Sequence, residues 1–266
     1  CRHMLRYLLK RLLATIPVMG VVALFVFSLL YLSPGDPAAV IAGDIATEAD
    51  IARIRAQLGL DQPFLVRFGG WLWALLHGDL GTSIFTSLPV STLIGQRIEP
   101  TLALTVCTLI VAVGLAVPLG VLAARRPRVG QAVLGLASLI QTIPSLALLA
   151  LFYPLLLGVK AATGWAISPL GFLPALLALT LYALLPIVRN TVVGLRGIGP
   201  VLLEAADGLG MTSAQKLRLV EAPLALPVIM AGVRTAAVWT IGAATLSTTV
   251  GQPSLGDVIF SGLQTQ

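Results

Sequence analysis

From Leu12 to Leu32 the chain runs without one charged residue, about the 20 apolar positions that an α-helix needs to cross a bilayer. Comparable runs return at 102–124, 132–157, 172–188 and 224–250. In hydrocarbon each backbone N–H and C=O has to be satisfied within its own segment, so such runs are obliged to be helices. The sequence therefore predicts an all-α, polytopic transmembrane bundle of about five spans. Composition agrees, with 11% charged residues against roughly 25% in a soluble domain.

A net charge of +6 would suggest a nucleic-acid partner in a soluble chain, but here position explains the cations better. Arg2, Arg6, Lys10 and Arg11 precede the first run, and Arg125, Arg126 and Arg128 follow the second. Arg189, Arg196, Lys216 and Arg218 lie between the fourth and fifth, and Arg234 lies inside the fifth. With alternate spans reversing direction, all of these fall on one side, leaving Arg53, Arg55, Arg67, Arg97 and Lys160 on the other. Cytoplasmic segments carry the excess of Lys and Arg. The expectation is a cytoplasmic N-terminus at 1–11, a first span at 12–32 and an external region at 33–100. A membrane domain at 101–266 follows, holding the other four spans and a cytoplasmic loop at 189–223. Pro144 and Pro154 are expected to kink the third span, and Arg189-Asn190 to close the fourth. Arg234 is expected to snorkel to the interface. No nucleic acid is expected as a partner.

Within 33–100, Thr47 is placed to cap a short helix through Leu58, with Ile51, Ile54 and Leu58 on one face and Gly59 at its end. Cys1 and Cys107 give no disulfide framework, and neither His3 nor His77 has a partner at metal-ligand spacing, so no metal and no cofactor are expected. No phosphate loop, zinc helix or nucleophile elbow occurs. The chain is therefore expected not to be an enzyme, and any ATP hydrolysis would belong to another subunit. The spans contain no Asp or Glu, which disfavours a secondary transporter needing coupling acids. Cys1-Arg2-His3 ahead of Met4 reads as a leader remnant, and no cleavable signal is expected.

Between the fourth and fifth runs lies a polar, helix-forming island. Gly199-Pro200 suits the start of a helix and Gly210 its end, and Thr212 with Gln215 suits the start of a second. Leu202, Ala205, Ala206 and Leu209 should share one side of the first helix, with Glu204 and Asp207 turned elsewhere. Individually, Asp207, Lys216 and Arg218 are expected to be solvated.

The pattern Glu204-Ala205-Ala206, Gly210 and then Val220-Glu221-Ala222-Pro223 resembles the EAA loop of bacterial ABC importer permeases, with Ala222 standing where the family usually has Leu. The resemblance implies an inner-membrane permease subunit whose loop docks into a separate cytoplasmic ABC ATPase dimer. Glu204, Ala205, Ala206, Gly210 and Pro223 would carry the coupling. It also implies pairing with a second permease subunit, homo- or heterodimeric, and delivery of substrate by an external substrate-binding protein.

Two further resemblances divide the chain near Pro127. Ser33-Pro34-Gly35-Asp36-Pro37-Ala38, Gln57-Leu58-Gly59-Leu60-Asp61-Gln62-Pro63 and Gly78-Asp79-Leu80-Gly81-Thr82-Ser83 resemble peptide and nickel importer permeases. Leu139 to Ala147, Tyr182 to Thr191, Gly251 to Asp257 and Gly262 to Gln266 resemble osmoprotectant permeases for glycine betaine, choline or carnitine, which usually continue into one more span. That implies an osmoprotectant substrate, with a peptide as the alternative and an inactive truncated or joined permease as the third reading. Tyr182 and Trp239 are the aromatic candidates for the path of a quaternary ammonium.

Overall fold

The structure, a computed structural model, describes residues 2–32, 36–42, 47–57, 59–83, 86 and 88–264. Ser33-Pro34-Gly35, Leu58 and Thr265-Gln266 lie outside them. Among the described residues there are helices and turns, with one isolated antiparallel bridge between Thr82 and Pro89. The chain divides into two units, Cys1–Leu93 and Ile94–Thr265.

In the first unit α1 (Arg2–Leu32) is a single helix, and α2 (Pro37–Ala42), α3 (Glu48–Gln57) and α4 (Phe64–Leu76) follow. Asp36 opens α2 by accepting the Ala38 N–H at 3.0 Å and pairs with Arg55 of α3. The Arg55 guanidinium holds the Asp36 carboxyl below its ordinary value of 3.8. Thr47 caps α3 as expected: its hydroxyl accepts the Asp50 N–H, and its own N–H donates to the Asp50 carboxylate, each at 3.3 Å. The region 33–100, expected as an external loop, contains helices among its described residues. Phe64, Phe68 and Trp71 recur at helical spacing on α4 and pack their rings 5.4–5.6 Å from Phe27 of α1.

The second unit is built around α8 (Phe172–Arg196), the most buried of the long apolar helices. Beside it stand α5 (Val90–Arg125), whose first turn belongs to the other unit, and α6 (Pro127–Thr142), α7 (Ser145–Thr163) and α11 (Ala222–Ala244). Lipid supplies no hydrophobic drive between helices, so contact rests on small residues that let backbones approach. At Gly232 of α11 a Cβ would stand 2.6 Å from the Pro186 carbonyl of α8, and at Gly120 of α5 it would meet the Thr191 side chain at 2.5 Å. Two apolar clusters result. Leu104, Leu149, Leu179 and Val250 form one, and Ala116, Ile187, Val188 and Ala236 the other.

Several expected boundaries shift. The second helix begins at Val90 rather than near 102, and α8 runs on to Arg196, leaving Arg189-Asn190 in mid-helix rather than at an end. The fifth run becomes α11 followed by a 3-10 turn over Thr245–Val250. The run 132–157, expected as one kinked span, is instead two helices, because the chain turns extended at Ile143 and Pro144. Proline lacks the N–H that would continue the ladder and biases the residue before it away from the helix.

That break is clasped from α8. Tyr182 donates its hydroxyl to the Ile143 carbonyl, and the Gln141 side-chain amide donates to the Tyr182 carbonyl at 3.2 Å. The Tyr182 carbonyl is the one that Pro186, four residues on, leaves without a helical donor. Pro186 thus frees the Tyr182 carbonyl, the extended break before Pro144 leaves that of Ile143 open, and a side chain from the opposite helix satisfies each.

At the end where α8 starts, the Gly171 N–H donates to the Val250 carbonyl at 2.8 Å. Arg97 of α5 reaches Asp257 at 2.6 Å, and Asp257 also accepts from the Thr248 hydroxyl at 2.6 Å and the Ser254 N–H at 3.1 Å. The 251–257 segment is thereby tied to the start of α5, where the Leu255 N–H donates to the Thr101 hydroxyl at 3.0 Å.

Gly232→Ala should lower stability by ~1–3 kcal/mol through overpacking against backbone, whereas Gly114→Ala, with nothing within 4 Å, should be neutral or slightly stabilising; thermal unfolding in one detergent compares them. Gln141→Leu and Tyr182→Phe should each cost about 1 kcal/mol. A double-mutant cycle between them should show non-additivity, since both bonds close the same break.

Candidate functional site

The polar island folds as two short helices, α9 (Pro200–Gly208) and α10 (Ser213–Lys216). Gly199 precedes α9 in an extended conformation with Pro200 in its first turn. The helix stops in a full Schellman arrangement: Met211 N–H donates to the Ala206 carbonyl at 3.2 Å, and Gly210 N–H to the Asp207 carbonyl at 2.9 Å. This geometry requires the left-handed backbone of Gly210, φ +71°, which a Cβ would disfavour. Thr212 and Gln215 form the capping box, the Thr212 N–H donating to Gln215 Oε1 at 2.8 Å.

Two ion pairs brace the knob, and spacing along a single helix could not have disclosed them. Lys216 Nζ lies 2.6 and 2.8 Å from the two Asp207 oxygens, across the Gly210 turn. Asp207 and Lys216 are therefore partners rather than separately solvated groups; Arg218 stays exposed. At the base, Arg125 at the end of α5 reaches the half-buried Glu221 at 3.1 Å. The Arg196 guanidinium donates to the Ala123 and Ala124 carbonyls at 3.1 and 3.4 Å, serving the last turn of α5 where cations are favoured.

Between α10 and α11 the chain widens into a π-turn over Leu217–Glu221, with the Ala222 N–H donating to the Leu217 carbonyl five residues back. Pro223 explains the widening, because an α-helix would press its ring against the Leu219 carbonyl.

Of the residues singled out in sequence, Ala206 is buried, while Glu204, Ala205, Gly210 and Pro223 are exposed. Leu202, Ala205 and Leu209 do share a face, but it is open: Val201 is 73%, Leu202 50% and Leu209 77% exposed. Ala206 alone of the expected cluster turns inward. Glu204 rises beside this apolar ridge with no hydrogen bond or ion pair among the described residues. An exposed apolar ridge beside a carboxylate is the kind of surface that another protein can cover.

The two aromatic candidates separate. Tyr182 has its hydroxyl committed to Ile143, whereas Trp239 lines two open cavities. One, about 310 Å³, is also walled by Gln141, Pro186, Arg189, Asn190 and Thr235. The other, about 390 Å³, adds Ala231, Arg234 and Val238 around the same Thr235 and Trp239. Arg234 therefore flanks a cavity in mid-helix, where sequence had suggested an interfacial position. Among the described residues no group of three His, Cys, Asp or Glu is placed to hold a metal.

Residues 116–266 match the binding-protein-dependent transport system inner membrane component, and 4–105 match the N-terminal part of a binding-protein-dependent transport system membrane component. The choline transport system permease protein OpuBB of Bacillus subtilis is 47% identical over 162 residues, 61% of this chain and 69% of that protein. A probable peptide ABC transporter permease, y4tP of Sinorhizobium fredii, is 52% identical over 120 residues, 45% of this chain but only 38% of that protein. Among solved structures, an inward-facing form of the MetNI methionine ABC transporter superposes with a TM-score of 0.53 at 26% identity, over 62% of this chain and 77% of that one. The dual resemblance read from the motifs is thus borne out. The chain belongs to the binding-protein-dependent transport system inner membrane components, as a multi-pass permease subunit of an ABC importer.

Proposed function

We propose that the permease moves an osmoprotectant such as glycine betaine, choline or carnitine, and that Glu204, Ala205, Ala206, Gly210 and Pro223 couple it to a cytoplasmic ATPase dimer. The observation that carries the coupling is the braced knob. Its exposed Val201, Leu202 and Leu209 form an apolar ridge that an ATPase groove would cover, and the lone Glu204 carboxylate stands ready for a basic or N–H partner at its edge. Asp207–Lys216 ties α9 to α10, and Arg125–Glu221 ties the turn that leads into α11 to the end of α5, so force applied there reaches the spans. One copy offers one knob, and an ATPase dimer needs two. The chain therefore works with a second permease subunit, and an external binding protein delivers the substrate. The knob and the N-terminus lie in the cytoplasm, consistent with the clustered Lys and Arg.

The osmoprotectant assignment rests on relatives of the larger half, which holds α8, α11 and the cavities around Trp239. A peptide cargo is the second reading, favoured by the 52% identity to the Sinorhizobium fredii protein over 120 residues.

Co-purification with candidate ATPases and ATP-driven uptake of labelled betaine against labelled dipeptide test the assignment. Betaine accumulation is expected, and dipeptide accumulation alone reverses it. Glu204→Lys with Gly210→Asp should abolish permease-stimulated ATP hydrolysis in membrane vesicles while the protein still inserts. A single cysteine at Gln215 should react with a membrane-impermeant thiol reagent only from the side that holds ATP.

A further inference from the structure

Arg189 of α8, seven residues before that helix ends at Arg196, and Arg234 of α11 both lie within helices long and apolar enough to cross a membrane. An ionisable side chain within such a helix is costly and usually marks function. Arg234 lies twelve residues past Ala222, about 18 Å along the helix, against a hydrocarbon layer ~30 Å thick. Neither arginine makes an ion pair among the described residues, and α6, α8 and α11 contain no Asp or Glu at all. Both guanidinium groups therefore lack a countercharge on the helices that carry them.

Arg189 lines one of two cavities and Arg234 the other, and the two cavities share Thr235 and Trp239. Asn190 and Gln141 add amide groups, although each has already given one hydrogen bond, to the Pro186 and Tyr182 carbonyls respectively. Trp239 is 52% exposed, with its indole open to the trough. It lies five residues beyond Arg234, about 7.5 Å along the axis and about 140° around it, and both side chains line the second of these cavities.

We propose that this trough binds a small zwitterion, its carboxylate held by Arg189, with Arg234 flanking it from the adjoining cavity, and its quaternary ammonium placed over the Trp239 indole. Guanidinium groups take carboxylates in paired, charge-assisted hydrogen bonds, and an indole face attracts a quaternary ammonium. The inference rests on the osmoprotectant reading and narrows it: carboxylate-bearing betaines are preferred over choline, a cation that two guanidinium groups repel. The ligand supplies the missing negative charge and occupies the site only while crossing.

The test uses the full chain in phosphatidylcholine nanodiscs, with Trp71, Trp73 and Trp165 changed to Phe so that Trp239 is the sole indole. Glycine betaine should change its fluorescence saturably, and choline should bind at least about tenfold more weakly, a difference of ~1.4 kcal/mol. Arg189→Gln with Arg234→Gln should bring glycine betaine down to the choline level, while Arg189→Lys with Arg234→Lys should retain most of the preference. Equal binding of the two ligands, no saturable response, or unchanged binding in the double Gln variant overturns the proposal. Loss of the preference when phosphatidylglycerol replaces phosphatidylcholine also overturns it, by assigning the arginines to lipid headgroups. The ligand ratio is read without any arginine substitution, so a misfolded variant does not decide the outcome. ATP-driven uptake is measured separately: uptake of betaine without an indole response sinks the site and leaves the importer standing, and saturable binding without uptake supports the site alone.

Discussion

The close approach of α11 to α8 at Gly232 governs everything on the larger unit. Lipid on the outside of a helix is as apolar as leucine within, so two spans gain little by exchanging one for the other. What holds them is backbone-distance contact, and Gly232 against the Pro186 carbonyl supplies it. The knob is the connection between these two helices, and the cavities around Trp239 open along their shared edge. A separation of α8 and α11 would therefore disturb the proposed coupling surface and the proposed ligand trough together.

Proline sets a second constraint. Each proline inside a span frees a carbonyl that lipid cannot satisfy, and the structure answers in three ways. At Pro186 a side chain from another helix serves the carbonyl; at Pro144 the helix ends and Tyr182 closes the gap; at Pro223 the helix widens by one residue. The Gln141–Tyr182 clasp also explains why an aromatic residue at a seemingly apt position for a cation is occupied otherwise.

The helical class and the membrane-crossing runs were legible because hydrophobic length leaves a long segment no other structure. The caps of α3, α9 and α10 were legible because Thr47, Gly210 and Thr212 act on neighbours within a few residues. The division of 132–157 was not, since a membrane proline is as compatible with a kink as with a break, and only the donor on Tyr182 decides. Asp207–Lys216 and Arg125–Glu221 were hidden because they join different helices. The arginine pair was half visible: Arg234 stood out in its apolar run, but Arg189 looked like the end of a span until α8 proved to continue through Arg196.

The widened turn at Leu217–Glu221 has a geometric consequence for the trough. One additional residue within a helical path rotates all that follows by about 100°. The sector of α11 bearing Thr235 and Trp239 is thus phased by a bulge lying fully fourteen positions upstream of the first of them. Absorbing that bulge into ordinary α-helix would swing the sector away from α8, so the torsional setting of this turn fixes which chemistry α11 presents along the route.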